Sequence, residues 1–150
     1  MTHTQQFASF ALADMLFGIE VEKMQEVTSG IEITPVPLAP SAVHGVLNLR
    51  GRIVTAIDLR RCLELLDRPA DQCPVNLILQ TDDGCTSLLV DQVGDVLDVD
   101  DSDFAAPPAT LRGRLRELIR GAYKLEGRLL LVLDTDKVLE GIGGVACGSL

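Results

Sequence analysis

Few side chains in this 150-residue chain are placed to make or break a covalent bond. The 4 cysteines, Cys62, Cys73, Cys85 and Cys147, form no C-x-x-C pair and show none of the spacings that bind zinc. They read as reduced thiols, some buried as small hydrophobes, and His3 and His44 do not complete a metal site with them. Gly141 to Ala146 carries the letters G-x-G-x-x-A. A dinucleotide site also needs a strand before it, a helix after it and an acidic residue roughly 20 positions on. Asp98, Asp100, Asp101 and Asp103 share the acidity of a calcium loop, without its Gly at the sixth and Glu at the twelfth position. No phosphate-binding loop, G-x-S-x-G or H-E-x-x-H occurs. The expectation is a protein with no catalytic centre, metal or cofactor. What remains is recognition, and the informative charges are Glu26 and Arg50, both beside apolar segments that should pack. They are either two solvated surface charges, each worth little, or a partly buried pair beside a binding groove, with the guanidinium holding the carboxylate in a fixed fork.

Arg50 lies in the stretch that organises the chain, Gly45 to Leu59. Val46 to Leu49 and Ile53 to Ile57 are short apolar runs that predict two strands. Arg50-Gly51 is the turn between them, with Gly free to take the positive φ of a tight hairpin. Asp58 can cap a helix starting at Leu59. Apolar side chains on both faces predict a central hairpin. The same pattern returns at Gly121 to Asp134: Gly45, Gly51, Arg52 and Asp58 match Gly121, Gly127, Arg128 and Asp134, each 76 positions on. Four matches in register argue for a duplicated unit.

The flanking segments repeat as well. Phe7 to Leu12 and Leu16 to Ile19 predict a first hairpin around Ala13-Asp14, and Val75 to Gln80 and Thr86 to Val90 a second around Thr81-Asp82-Asp83-Gly84. Each is followed by apolar residues three apart, Val21, Met24, Val27 and then Val90, Val93, Val96, which predict one or two helical turns. Pro35, Pro37 and Pro40 mark an edge strand or extended link. Leu59 to Leu66 reads as a short helix and Asp67 to Pro74 as a polar loop. The second copy carries extra residues within Asp98 to Arg120, read as the longest loop, with a helical turn near Leu115 to Ile119. A last helix runs from Asp134 through Leu139, and residues 141–150 read as a loose tail. Short strands with one helix per copy suggest two small barrels side by side, which removes most exposed sheet edges.

Composition sets the outer bounds. The chain is 47% hydrophobic but only 3% aromatic, so aliphatic side chains must fill the interior. A formal net charge of −9 argues against nucleic acid. No apolar run reaches the roughly 18 to 20 residues that cross a bilayer, so no membrane insertion is expected. The N-terminal residues show no secretion signal, which points to the cytosol.

Taken together, these motifs resemble the CheW family, adaptors of bacterial chemosensory arrays. The carriers are Phe17-Gly18-Ile19-x-Val21-x-x-Met24-x-Glu26-Val27, then Gly45-Val46-x-Asn48-Leu49-Arg50-Gly51-x-Ile53-Val54-x-x-Ile57-Asp58-Leu59, then Leu89-Val90-Asp91-x-Val93-x-x-Val96, and Gly127-Arg128-Leu129 through Asp134. The resemblance runs from about Phe7 to Leu139. It implies a mainly β fold of two intertwined five-stranded SH3-like barrels with a few short helices, in a single domain. One half would span roughly 15–75, the other 76–140 plus the N-terminal strand. It also implies two partners, the cytoplasmic tip of a methyl-accepting chemoreceptor and the regulatory domain of a CheA-type histidine kinase, at receptor arrays near the inner membrane. The receptor groove would use Val21, Met24, Glu26, His44, Arg50 and Ile53, and kinase contact Pro107, Pro108 and Leu111. Departures are Glu22 at a position usually apolar in the family, Thr55 where proline is common, and a Gly-rich C-terminus. A chemosensory pathway other than swimming, such as surface sensing or pilus control, fits the same motifs. A small-barrel enzyme or ligand-binding module would need convergent titratable groups.

Overall fold

A computed structural model describes residues 4–81 and 84–142. The chain is mainly β, with strands β1 (Thr4–Leu12), β2 (Met15–Glu20), β3 (Met24–Ser29), β4 (Ile33–Thr34), β5 (Val43–Leu49), β6 (Arg52–Asp58), β7 (Val75–Thr81), β8 (Gly84–Val90), β9 (Gln92–Asp100), β10 (Phe104–Ala105), β11 (Ile119–Leu125) and β12 (Arg128–Leu133). The helices are short: α1 (Leu59–Cys62), α2 (Gly113–Leu118) and α3 (Thr135–Ile142). The proposed turn residues Asp82 and Asp83, and residues 143–150 of the expected tail, lie outside the described residues.

The strands form two six-stranded sheets, ordered β10-β11-β12-β2-β1-β9 and β3-β7-β8-β6-β5-β4. The expected count was five strands per half. The sixth in each is a two-residue strand, β4 or β10, laid along an edge. The two sheets are copies of one another, with β1 to β6 matching β7 to β12. Yet each sheet takes its first hairpin from one copy and its other strands from the other copy, so the halves interlock. The chain exchanges a whole hairpin each way, β1–β2 into one sheet and β7–β8 into the other, joined by the parallel pairs β2–β12 and β8–β6.

Each sheet buries both faces. Leu47, Leu49, Val54, Ala56, Ile78, Cys85 and Leu89 fill the inside of one, and Phe7, Val99, Tyr123, Leu130 and Val132 the inside of the other. The opposite faces meet in a larger seam core that includes Phe10, Leu12, Phe17, Ile19, Ile57, Leu77, Leu79, Leu88, Leu131 and Leu133. Phe10 and Phe17 stack there at 5.6 Å. The apolar-on-both-faces pattern of the sequence has this physical origin.

The repeated glycines explain the crossing of the short edge strands. A Cβ on Gly45 would sit 2.2 Å from the Thr34 carbonyl oxygen, and one on Gly121 2.2 Å from Phe104 Cζ. Only glycine lets β4 and β10 lie so close to β5 and β11.

Two expectations fail for one reason. Of Val21, Met24, Val27, Val90, Val93 and Val96, Val21 alone lies in a helical turn, and the others are in strands. Val21 to Lys23 is a single 3-10 turn, and Met24 begins strand β3. In β3 the register shifts between Met24, opposite Leu79, and Glu26, opposite Ile78. In β9 it shifts between Val93, opposite Phe10, and Val96, opposite Ala8. A β-bulge adds one residue, so side chains three apart return to the same face and imitate a helical period. The stretch 98–120 is also more ordered than a loop: β9 runs to Asp100, a 3-10 turn spans Asp101–Asp103, and β10 and α2 follow. The first helix stops at Cys62 instead of reaching Leu66.

Candidate functional site

The bulge in β3 builds the first site. It leaves Met24 on the seam side beside Leu79 and turns Glu26 to the inner side beside Ile78. Arg50 sits at the tip of the β5–β6 hairpin, and its Nη1 and Nη2 donate to Glu26 Oε1 and Oε2 at 2.6 and 2.8 Å. Strand β3 is one edge of its sheet, and β5 lies next to the other edge. The two-pronged pair therefore bridges across a strongly curled sheet. The hydrogen bonds from Arg50, and its positive charge, hold the Glu26 carboxyl below the usual carboxylate range, and Glu26 in turn raises Arg50. The open reading of the sequence resolves as a pair with unequal exposure: the glutamate side chain is 22% exposed and the arginine 71%. A planar cation clamped on one side and open on the other can receive a partner without reorganising.

Val21 and Met24 are half-buried and pack against the seam core. Ile53 is half-buried on β6, opposite Asn48 and two residues from the turn. Val21 stands in the 3-10 turn before β3, Met24 and Glu26 are on β3, and Arg50 and Ile53 are at the β5–β6 tip. His44 does not join them: it is exposed near the start of β5, about 20 Å along the strand from Arg50 at roughly 3.3 Å per residue. It lines a separate polar hollow of about 280 Å³ with Asp58, Arg61, Asp67, Arg68 and Pro69.

A second site lies on the other sheet. Pro108 and Leu111 line an apolar groove of about 450 Å³ together with Ala11, Ala13, Asp14, Met15, Leu16, Thr110, Arg128, Leu129 and Leu131. The β1–β2 turn and the start of β12 form its walls. Pro107 is half-buried next to it without lining it. Leu129 remains 40% exposed at the rim. Under the internal repeat, Arg128 and Leu129 occupy the places of Arg52 and Ile53. The two sites thus share one pair of matching positions, Ile53 and Leu129, while Glu126, at the place of Arg50, does not line the groove.

Sequence reasoning missed a buried ionic cluster. Asp91, at the crossing from β8 to β9, is gripped by Arg60 through Nε at 2.9 Å and through a short Nη2 contact, and by Arg68 Nε at 3.0 Å. Its Oδ2 also accepts the Ala13 N–H at 2.8 Å. Asp58 caps α1 through the Arg60 N–H and stands 3.7 Å from Arg68. Burial opposes ionisation of Asp91, but the hydrogen bonds from Arg60, Ala13 and Arg68 outweigh it and hold the carboxyl at about 2. The cluster ties the β1–β2 turn of one sheet to α1 beside the other. Its signal in sequence was Asp91 inside a repeated motif, without any hint of its partners. Among the described residues no buried side-chain nitrogen or oxygen lacks a partner, so this cluster spends its charges on itself.

A strand-exchanged pair of copies, with a satisfied polar interior and two separate surface sites, is the build of a recognition protein. The chain belongs to the CheW-like domain family, which matches residues 6–142. It is 28% identical over 137 residues to the chemotaxis protein CheW of Treponema pallidum, covering 89% of this chain and 81% of that one. It is 30% identical over 135 residues to CheW of Klebsiella aerogenes, covering 90% and 81%. The crystal structure of the scaffolding protein TtCheW from Thermoanaerobacter tengcongensis superposes with a TM-score of 0.77 at 25% identity, covering 87% of this chain and 89% of that one.

Proposed function

We propose that this chain is a non-catalytic adaptor that couples chemoreceptors to a CheA-type histidine kinase in chemosensory signalling. One observation carries the reading: the chain presents a clamped, exposed arginine on one sheet and a separate apolar groove on the other. An enzyme needs one convergent site, whereas a coupler needs two separate ones. The first site is assigned to the receptor tip. Val21, Met24 and Ile53 supply apolar contact along the β3 side, and Glu26 and Arg50 fix the register of a helix laid against it. His44 sits too far along β5 to share a single helix footprint with Arg50 and is assigned to its margin. The groove around Pro108, Leu111 and Leu129 is assigned to the kinase, where a neighbouring apolar side chain can be buried.

Membership of the CheW-like domain family supports this reading. Among the described residues no helix is long and apolar enough to cross a membrane. The proposed partners, a receptor's cytoplasmic tip and a kinase, would place the adaptor's work in the cytoplasm. The test is Arg50→Ala in a reconstituted assembly of receptor, adaptor and kinase. Receptor-dependent phosphorylation should fall at least tenfold with the fold intact by circular dichroism, as expected when about 1.4 kcal/mol of binding is lost. Wild-type coupling in that variant overturns the assignment.

A further inference from the structure

The two hairpins of the repeat have the same length and the same turn glycine, but different backbones. In the first, Leu49 pairs with Arg52, and both turn residues are left-handed: Arg50 at φ 52° and Gly51 at φ 86°. This is the primed two-residue turn, which asks for positive φ at both central positions. Arginine rarely adopts it, because its Cβ crowds the neighbouring carbonyl. In the second hairpin Leu125 pairs with Arg128, and Gly127 is left-handed at φ 79° while Glu126 is not. Asn48 is another difference between them. Its Oδ1 accepts the Gly51 N–H at 2.8 Å, closing a ring over the turn, and in the second copy its place is taken by Lys124, which has no acceptor.

We propose that Asn48 is the positioning residue of Arg50: its amide oxygen locks the doubly left-handed turn that sends the guanidinium back across the curled sheet to Glu26. The chain supplies its own control, since the copy without the asparagine lacks that turn. The point matters because the Arg50 side chain is 71% exposed. A long exposed side chain has many rotamers to lose. A backbone that already starts it toward Glu26 leaves fewer of them, and the charge is presented preorganised to whatever binds there. The inference gains its functional meaning from the receptor assignment above, while its geometry stands independently of any partner.

The test uses the full chain with Asn48→Ala, Asn48→Lys and Asn48→Asp. Two signals are read by NMR: hydrogen exchange at the Gly51 amide and the titration of the Glu26 carboxyl. With alanine or lysine, exchange at Gly51 should speed up roughly five- to tenfold, the loss of one net hydrogen bond. The Glu26 titration should rise toward the ordinary carboxylate range as Arg50 leaves it. Aspartate keeps an acceptor and should retain Gly51 protection. A merely structural role would lower the melting temperature without moving Glu26. Alanine and lysine variants that keep the wild-type Glu26 titration overturn the proposal. If Glu26 shifts in Asn48→Ala while Arg50→Ala couples normally, the positioning role stands and the receptor assignment falls.

Discussion

Removing the Asp91 carboxylate tests the interlocked architecture from the inside. Asp91→Ala deletes the shared acceptor of two guanidiniums whose side chains are only 9% and 8% exposed. It also strips the Ala13 N–H of its partner. Removing one member of a buried pair costs about 3–5 kcal/mol, because the charges left behind stay desolvated. Against a domain stability of about 5–15 kcal/mol that is a large share. For a chain of this size it corresponds to a fall in melting temperature of roughly 6–20 °C. The ionisation supplies an independent check. The folded-state pKa of about 2 lies below the ordinary value of 3.8, so the unfolded chain binds the proton more readily. The stabilisation is complete above about pH 5, declines as the pH falls, and is gone below about pH 2, amounting to about 2 kcal/mol. Urea unfolding followed by circular dichroism, at steps from pH 7 to pH 2, should show the variant less stable at neutral pH and with a shallower acid slope. A loss under about 1 kcal/mol at pH 7, or an unchanged acid slope, refutes the reasoning.

Three further expectations follow from the same geometry. Gly45→Ala should destabilise by about 2 kcal/mol or more and exceed Gly121→Ala in urea unfolding, because the first Cβ meets the Thr34 backbone oxygen and the second meets the Phe104 ring, which can swing away. Leu129→Asp, at the half-open rim of the apolar groove, should leave the melting temperature within about 2 °C, consistent with a surface change, and weaken adaptor–kinase binding at least tenfold by calorimetry. In a Cys147→Ser background one thiol, Cys73, should react quickly with a thiol reagent, and Cys62 and Cys85 only on unfolding, since both are buried and burial raises the Cys62 thiol.

Much of this fold was legible because its signals are local. Gly51 and Gly127, each following a short apolar run and followed by an arginine, located both central hairpins, and Asp58 marked the cap that the structure shows on Arg60. The duplication was legible because its landmarks are glycines and aspartates, whose backbone roles leave little freedom. What was hidden is non-local. Met24 and Val27 looked helical because a bulge restores the face after three residues rather than two. The exchange of hairpins leaves no mark in the chain, since parallel partners such as Thr55 and Thr86 are chosen by a shared core and not by neighbouring residues. The Glu26–Arg50 pair could be named but not decided, because its geometry depends on how far the sheet curls. His44 shares a motif with Arg50 but lies at the other end of β5, a separation the motif does not reveal. The Arg60–Asp91–Arg68 cluster joins three separate segments, and no spacing announces it.

The direct measurement is a two-partner binding experiment on one protein, with receptor-tip fragment and kinase regulatory domain titrated separately against wild type, Arg50→Ala and Leu129→Asp. Two independent surfaces require a crossed result: the arginine variant loses the receptor fragment and keeps the kinase, and the leucine variant does the reverse. If either substitution weakens both partners alike, or neither affects its own, the two-site account of this adaptor is wrong.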